Sequence, residues 1–555
     1  MLLVQQCARR AHRWPLRSGL TSISNTCFYS SSYYLTTPIF YPNSVPHIGH
    51  LYTLVITDIL ARHARISLPD RTVCFLTGTD EHGLKIQRAA EARNLEPLEF
   101  CNRISDRFRV LANNASASYT RFIRTSEKDH HHAVQHVWRA LDSKGLIYKG
   151  SHKGWYSVAD ECFYTENQVE RLSGKGNTLS SSSEEIVVSK ETGSVVEWTE
   201  EDNYKFRLSR FRDFLFARYQ SDPHTIYPPQ QHAAVLDMLS MPLEDLSVSR
   251  PRSRLHWGIS VPNDSAHTIY VWFDALINYL TGVGYPWDTE KQNVQACWPP
   301  DLQVVGKDIV RDASGSGHTT SQEALGSLHW TVNRRKMSKS IGNVVDPFYV
   351  IEELGTDVVR YYLARIGGRF KDDVDWSSEQ LENHGAELRS LLGNFYLRIT
   401  SAAIRKRLPE GFHSNLRESL EQSLSTEDVK EVEVANGLQT LASVVDNHLK
   451  ELRISEALEA IMHQLKAINA LLNATEPWAK NSREAVVMKM YALSLETLRI
   501  CGILLQPFIP IKAGTLLDAM SVPQSERALQ HAQYLCGTMG VTTPGVKLFS
   551  NTRVS

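Results

Sequence analysis

From residue 33 onward, apolar positions recur with two different periods. Tyr33–Ile39 is a β-branched and aromatic run ending in the turn Pro42-Asn43-Ser44, and Arg71–Thr77 is a second short run of the same kind; both predict strands. Between and after them the apolar spacing changes to three and four. It predicts helices over His50–Ile66, Glu81–Arg93, Leu98–Ala112 and Glu127–Leu141, the last closed by Lys144-Gly145. Strands alternating with helices predict a parallel sheet.

Residues 151–205 break this rhythm. They hold Gly154-Trp155-Tyr156-Ser157, the low-complexity stretch Ser173–Ser183 and Val195-Val196-Glu197-Trp198, the pattern of an inserted β-rich module with a flexible loop. Residues 206–345 return to α/β, and 346 onward is mainly helical, most strongly over Leu381–Ile404, Val434–Leu449, Glu456–Leu472 and Arg483–Leu505. The expected organisation is an α/β domain in two halves, 33–150 and 206–345, around a connective insert, 151–205. A linker (346–380), an all-α helical-bundle domain (381–522) and a polar, weakly patterned tail or small cap (523–555) follow. The fold class is α/β, a doubly wound parallel sheet with an appended helical bundle.

Composition narrows the classes. The chain has 555 residues, enough for three or four domains, with 42% hydrophobic and 22% charged residues and a net charge of −1. That excludes wholesale disorder and collagen-like chains. No uninterrupted apolar run reaches the 18 or so residues a membrane span needs. The eight cysteines, at 7, 27, 74, 101, 162, 297, 501 and 536, form no CxxC pair, which argues against a zinc knuckle or a disulfide framework. His132 and His136 are four apart in a His-rich helix, but no acidic or cysteine ligand has matching spacing, so no metal is expected there. Before Asp58 there is no Asp or Glu, and residues 1–32 carry Arg9, Arg10, Arg13, Arg17 and six serines. Arg-rich, Ser-rich and acid-free is the composition of an organelle transit peptide, with a disordered basic tail as the alternative.

Two short stretches carry chemistry. Pro46-His47-Ile48-Gly49-His50 follows a strand and opens a helix; Lys336-Met337-Ser338-Lys339-Ser340 lies about 290 residues later, before Ile341-Gly342-Asn343. A helix amino terminus offers free N–H groups and a positive dipole end to phosphate. His47 and His50 share one face of the first turn and can donate to a phosphate as its charge grows. Gly49 leaves room for a purine to lie against the helix. Lys336 and Lys339 are point charges on a Gly/Ser-containing loop that can close over pyrophosphate. Such chemistry needs positioning and charge neutralisation more than a general base.

The pair of stretches resembles the two signatures of class I aminoacyl-tRNA synthetases. From Tyr33 to about Pro523 the chain further resembles the methionyl-tRNA synthetases: Thr36-Thr37-Pro38-Ile39-Phe40-Tyr41-Pro42-Asn43, Gly78-Thr79-Asp80-Glu81-His82-Gly83, Tyr270-Val271-Trp272-Phe273-Asp274-Ala275-Leu276-Ile277-Asn278-Tyr279, Gly306-Lys307-Asp308 and Glu476-Pro477-Trp478 carry the likeness. The insert at 151–205 is too short for the editing module of the leucine, isoleucine and valine enzymes. The resemblance implies a Rossmann-like catalytic domain. It implies that Ile39, Tyr41, Trp272, Leu276 and Tyr279 line a methionine pocket and that Asp80 takes the α-ammonium. It implies that His47, Gly49, His50, Gly306, Asp308 and the stretch Lys336, Met337, Ser338, Lys339, Ser340 hold ATP, with Mg²⁺ accompanying the nucleotide. It implies that Trp478 stacks on an anticodon base of tRNA(Met), the other anticodon contacts falling near Gly385–Arg398. Aromatic and aliphatic side chains suit a thioether, and a carboxylate suits an ammonium. The expected protein is a mitochondrial matrix enzyme that activates methionine with ATP, acts as a monomer, needs no structural zinc and touches no membrane.

One stretch departs from the family. After Asp308-Ile309-Val310-Arg311 the family runs into an aromatic helix, whereas this chain reads Asp312-Ala313-Ser314-Gly315-Ser316-Gly317-His318 and regains the likeness only at His329-Trp330-Thr331. Gly and Ser make that segment a poor helix. Either the sequence carries an error over 312–327, or the chain is a non-catalytic tRNA-binding variant; another class I enzyme, such as a cysteine-specific one, is the remaining alternative.

Overall fold

The computed structural model describes residues 32–157, 162–164, 166–172, 186–190, 193–287, 297–306, 323–327, 330–332, 334–336, 343–370, 373–410, 412, 420–421, 428–537 and 542–549. The first half of the α/β unit runs β1 (Ser32–Thr36), α1 (Ile48–Ser67), β2 (Thr72–Thr79), α2 (Leu84–Glu91), α3 (Pro97–Asn114), β3 (Arg121–Arg124) and α4 (Lys128–Asp142). Helix α1 is apolar nearly all round. Ile48, Leu51, Tyr52, Leu54, Val55, Ile56, Ile59 and Leu60 are all buried, which fits a helix covered on every side. Each such aliphatic side chain contributes roughly 1.5–3 kcal/mol by leaving water.

The predicted Glu81–Arg93 helix starts three residues late, at Leu84. Gly83 has φ 107°, outside the helical region, and the Glu81 side chain is occupied elsewhere: it is buried and accepts from the Nε of Arg124 at 2.6 Å and from Thr79 Oγ1 at 2.8 Å. The sequence pattern did not show β3. Only four residues long, it has arginines at both ends and pairs along β2 from Leu76↔Arg121 to Thr79↔Arg124. At that junction a Cβ on Gly78 would stand 2.0 Å from the Ile123 carbonyl oxygen, so only glycine permits the approach.

The insert is a β-module. β4 (Ile147–Ser157) and a later strand, β8 (Glu197–Phe206), pair antiparallel over ten residues, with β5 (Cys162–Tyr164) on one edge and the hairpin of β6 (Val169–Leu172) and β7 (Ile186–Ser189) beyond. Then follow α5 (Arg212–Ser221), β9 (Ile226–Tyr227), α6 (Pro229–Ser240), β10 (Leu246–Ser247), the small sheet of β11 (Ser249–Pro251), β12 (Ser260–Val261) and β13 (Asp264–Ile269), helix α7 (Val271–Thr281), β14 (Leu302–Gly306) and β15 (Glu323–Ser327). The main sheet has the order β3-β2-β1-β14-β15-β9 with every pairing parallel. The order reverses between β1 and β14. In such sheets the crevice at the carboxyl ends of those two strands is the binding position. Residues 323–327, the end of the stretch that departs from the family, form the strand beside β14.

β16 (Trp330–Val332), β17 (Arg335–Lys336), α8 (Pro347–Leu354), α9 (Thr356–Gly367) and β18 (Val374–Asp375) lead to the helical region. The helix predicted over Leu381–Ile404 is interrupted: α10 (Ser378–Leu388) passes through a π-turn, Arg389–Asn394, into α11 (Phe395–Ile399). The wider turn frees carbonyls, and the Asn469 amide donates to the one of Leu391 at 3.2 Å. The long helices α12 (Val429–Lys450), α13 (Ile454–Thr475) and α14 (Glu484–Leu505) and the shorter α15 (Pro510–Ala519) complete it. The described residues past 523 include parts of this layer: Ala532 and Leu548 are buried, and the Arg499 guanidinium donates to the Gln533 carbonyl at 2.7 Å. One continuous apolar core joins α1, one face of the main sheet and the helical region, and a second lies under α4, α7 and the insert.

Candidate active site

The helix α1 begins at the carboxyl end of β1, and its first turn is built by two histidines. His47 is the N-cap, with extended backbone, and its Nδ1 accepts from the Gly49 N–H at 3.1 Å. The Nδ1 of His50 accepts from the His47 N–H at 3.0 Å, so the two rings cap the turn reciprocally, as Ser and Glu do elsewhere. A backbone N–H can only donate. Each Nδ1 therefore carries a lone pair, and in the neutral ring the proton sits on Nε2. Both imidazoles present an N–H, their centroids 3.9 Å apart, and the first turn holds no acidic residue. The edges of Phe40 and Phe108 fix the His50 ring, at 5.2 and 5.0 Å between centroids. Gly49 has a second role beyond the one its sequence position suggests: a Cβ there would stand 3.0 Å from His47 Cε1, against the ring that caps the turn.

Residues that flank the other signature pack on the same helix. The Ile48 N–H donates to the Val345 carbonyl at 3.3 Å, and the Trp330 ring lies 5.7 Å from that of Tyr52 on α1. Lys336 ends β17, whereas Met337, Ser338, Lys339 and Ser340 lie outside the described residues. Lys339 is six residues before Val345, at most about 20 Å of extended chain. Gly306 is the last residue of β14, on the far side of the crevice from β2; Asp308 lies outside the described residues.

The amino-acid candidates converge on the opposite wall. Residues 37–41 run beside the end of β2, with Thr37 N–H to the Leu76 carbonyl at 3.0 Å, Phe40 N–H to that of Gly78 at 2.8 Å, and Asp80 N–H to that of Phe40 at 2.8 Å. This brings Ile39 and Tyr41 beside Asp80. Ile39, Leu276 and Tyr279 join one apolar cluster with Tyr34 and Leu76. Burial pushes the Tyr279 phenol above its ordinary pKa, and the Asp80 charge adds to the effect, which marks the two as neighbours. Trp272 is half-buried on the first turn of α7. Tyr41 belongs to a separate cluster under α2, and its hydroxyl donates to the His82 carbonyl at 3.0 Å.

Beneath these residues is a buried network that the sequence reading did not assign. Asp274, fully buried on α7, binds His82 at 2.7 Å and His130 of α4 at 2.8 Å; His130 also binds Thr281 Oγ1 at 3.0 Å. Burial raises the Asp274 pKa, but the two histidines outweigh it and hold the carboxyl at about 2. The carboxylate thus ties α7, which carries Trp272, Leu276 and Tyr279, to the loop that carries Asp80. His130, read in sequence as part of a His-rich helix, is a structural partner. His136 is bonded to the Tyr285 hydroxyl at 2.7 Å. Burial, with the His82 imidazole adding, lowers the third, His131, to about 4. Among the described residues, no group of three His, Cys, Asp or Glu side chains is placed to hold a metal ion. His82 and Asp274 stand two residues from Asp80 and from Trp272, inside two of the stretches that carry the family likeness, but neither stretch reports that they meet.

Trp478 stands apart from the crevice, after α13 in the helical region. The Arg398 guanidinium lies 4.8 Å over its ring and donates to Asn473 Oδ1 at 2.6 Å. Trp478 is partly buried and packs on the core.

Comparison with known proteins agrees with this architecture. Residues 33–400 match the family model described as tRNA synthetases class I (M). The chain is 40% identical over 548 residues to a probable mitochondrial methionine–tRNA ligase of Neurospora crassa, covering 96% of this chain and 86% of that protein. It is 40% identical over 519 residues to the mitochondrial methionine–tRNA ligase of Homo sapiens, covering 90% and 86%. The solved structure of Mycobacterium tuberculosis methionyl-tRNA synthetase in complex with methionyl-adenylate superposes with a TM-score of 0.82 at 33% identity, over 93% of this chain and 99% of that one.

Proposed function

This chain belongs to the class I methionyl-tRNA synthetases, and from that premise we propose that it joins methionine to tRNA(Met) for mitochondrial protein synthesis. In the first step the methionine carboxylate attacks the α-phosphorus of ATP, and pyrophosphate departs with the Mg²⁺ that accompanies the nucleotide. In the second the methionyl group passes from the adenylate to the terminal ribose of the tRNA. The observation that carries the reading is the reciprocally capped start of α1, which leaves both rings with the proton on Nε2 in the one turn that follows β1.

The roles follow from the positions. The α-ammonium pairs with Asp80, and the thioether lies against Ile39, Trp272, Leu276 and Tyr279, with Tyr41 holding the Asp80 loop through the His82 carbonyl. The triphosphate meets His47, His50 and the helix end. Gly306, with Asp308, takes the ribose; Lys336 and Lys339 neutralise the leaving group, and Met337, Ser338 and Ser340 bind the nucleotide beside them. Because the carboxylate nucleophile is already ionised, no general base is required. The acid-free amino-terminal segment supports import to the matrix.

The test is exchange of labelled pyrophosphate into ATP with each of the twenty amino acids in turn. Exchange with methionine alone is expected. Exchange driven by leucine or cysteine instead would reassign the substrate, and tRNA binding without any exchange would leave a binding protein. A separate expectation concerns the far end of the molecule. Trp478→Ala removes a stacking platform worth roughly 1–3 kcal/mol per base. It is expected to weaken tRNA(Met) binding by about that amount while methionine-dependent exchange stays at the wild-type rate. An equal loss in both assays would show that the side chain serves the core rather than the tRNA.

A further inference from the structure

Cys74 lies on β2, and its Sγ stands 3.5 Å from the Sγ of Cys297, in the segment that enters β14. Both thiols are free and half-buried; of the other described cysteines, Cys101 and Cys501 are buried. Neither Cys74 nor Cys297 has a part in the reaction described above. The pair packs against the apolar cluster that contains Ile39, Leu276 and Tyr279. Four residues after Cys297, Asp301 is tied to that cluster by hydrogen bonds. Tyr34 N–H donates to the Asp301 carboxylate at 2.8 Å, Asp301 N–H returns to the Tyr34 carbonyl at 2.8 Å, and the Tyr34 hydroxyl donates to the Tyr279 carbonyl at 2.8 Å. A displacement of Cys297 therefore reaches Tyr279 through Asp301 and Tyr34, four residues along its own chain and then across one strand.

We propose that Cys74 and Cys297 form an oxidation site, where a peroxide converts two thiols into an intramolecular disulfide that ties β2 to the entry of β14 and weakens methionine binding. The Cys297 thiolate attacks one peroxide oxygen; the O–O bond breaks, leaving a sulfenic acid on Cys297 and a hydroxide that takes a proton from solvent to become water. The Cys74 sulfur then attacks the Cys297 sulfur. The S–S bond forms, the S–O bond breaks, and the hydroxyl leaves with the Cys74 proton as a second water. Two electrons pass from the thiols to the peroxide.

Cys297 is the natural attacking group. A hydrogen bond from Cys74 favours its thiolate, against burial, which acts the other way. Bond formation requires the sulfurs to close to about 2.05 Å. The pair packs against the cluster of Ile39, Leu276 and Tyr279, so a shift of that size is expected to move the pocket wall.

The effect on methionine rests on the function proposed above; the cross-link does not, so the experiment reads them separately. The full-length reduced protein is treated with hydrogen peroxide, freed of it, and digested without reductant. Mass spectrometry is expected to find the peptides of Cys74 and Cys297 joined, two hydrogen atoms lighter than their sum. In the exchange assay the methionine KM is expected to rise several-fold with the ATP KM unchanged. Dithiothreitol is expected to restore it, which excludes oxidation of methionine residues, since dithiothreitol does not reverse that. C74S and C297S, treated alike, are expected to keep their untreated methionine KM. Absence of the 74–297 linkage overturns the proposal, as does a C297S protein that loses methionine affinity like the wild type. A linkage that leaves the KM unmoved overturns the coupling to the pocket. If untreated protein performs no exchange, the functional reading fails while the linkage result stands.

Discussion

His50→Ala is expected to slow methionyl-adenylate formation by about 10²–10³-fold, the usual effect of removing one donor aimed at charge that develops in a transition state. The side chain has two jobs, and they differ in size. Its Nδ1 caps the His47 N–H, and loss of such a cap costs about 1 kcal/mol of stability. Its Nε2–H is the donor proposed for the triphosphate, and losing a donor of that kind costs about 2.7–4 kcal/mol of barrier. Capping alone predicts a slightly lower melting temperature and near-normal turnover. Donation predicts the reverse ordering: a small thermal shift and a large fall in kcat for pyrophosphate exchange.

His50→Gln distinguishes the two further. A glutamine can accept from the His47 N–H through Oε1 and donate through Nε2, so it is expected to recover the cap and part of the rate. Stopped-flow adenylate formation beside a thermal melt makes the comparison. A His50→Ala protein that keeps more than a tenth of wild-type activity would remove this histidine from the reaction.

The sequence made much of this site legible, for physical reasons that can be named. The α1 helix was visible because its apolar positions are dense and unbroken, and the strands β1 and β2 because they are short, β-branched and buried on both faces. His47, Gly49 and His50 were legible because chain neighbours in a helix turn are neighbours in space. The capping was less so: histidine is an unusual N-cap, and its geometry depends on Gly49 lacking a Cβ. Asp274, His82 and His130 were hidden because their association spans 144 and 192 residues of sequence and no local period reports it. The same holds for Arg398 and Trp478, which are 80 residues apart in the sequence and meet on the surface of the helical region. Position by position, pattern found the elements; long-range polar pairing was accessible only in three dimensions.

The largest expected loss of stability comes from one such pair. Arg360 on α9 is 1% exposed and makes an ion pair with Asp58 of α1, itself 0% exposed, at 2.7 Å. Its other donors reach the Ala115 carbonyl after α3 at 3.0 Å, the Phe508 carbonyl at 3.0 Å and the Pro507 carbonyl at 2.7 Å, the last two in the turn after α14. One guanidinium thus joins the helix that carries His47 and His50 to the helical region that carries Trp478. Arg360→Met preserves much of the volume but leaves the Asp58 carboxylate buried without that partner and three carbonyls without a donor. Breaking a buried pair in this way costs about 3–5 kcal/mol. Arg62, at 2.8 Å, and the Ser118 N–H, at 2.6 Å, still bind Asp58, so the lower part of that range is expected. Burial raises the Asp58 pKa, but Arg360, Arg62 and Ser118 more than reverse it and hold the carboxyl below its ordinary value. A depressed carboxyl adds stability above its unfolded pKa of about 3.9 and loses it as pH falls through the folded value. In Arg360→Met the same carboxyl is less well compensated and readily protonates. The stability gap between wild type and variant is therefore widest near neutral pH and narrows below about pH 4. Adding Asp58→Asn to Arg360→Met removes the orphaned charge and is expected to recover part of the loss. Urea unfolding of the three proteins at two pH values measures all of this. A single variant within about 1 kcal/mol of wild type, or a gap that grows in acid, would mean that apolar contacts alone hold the two regions together.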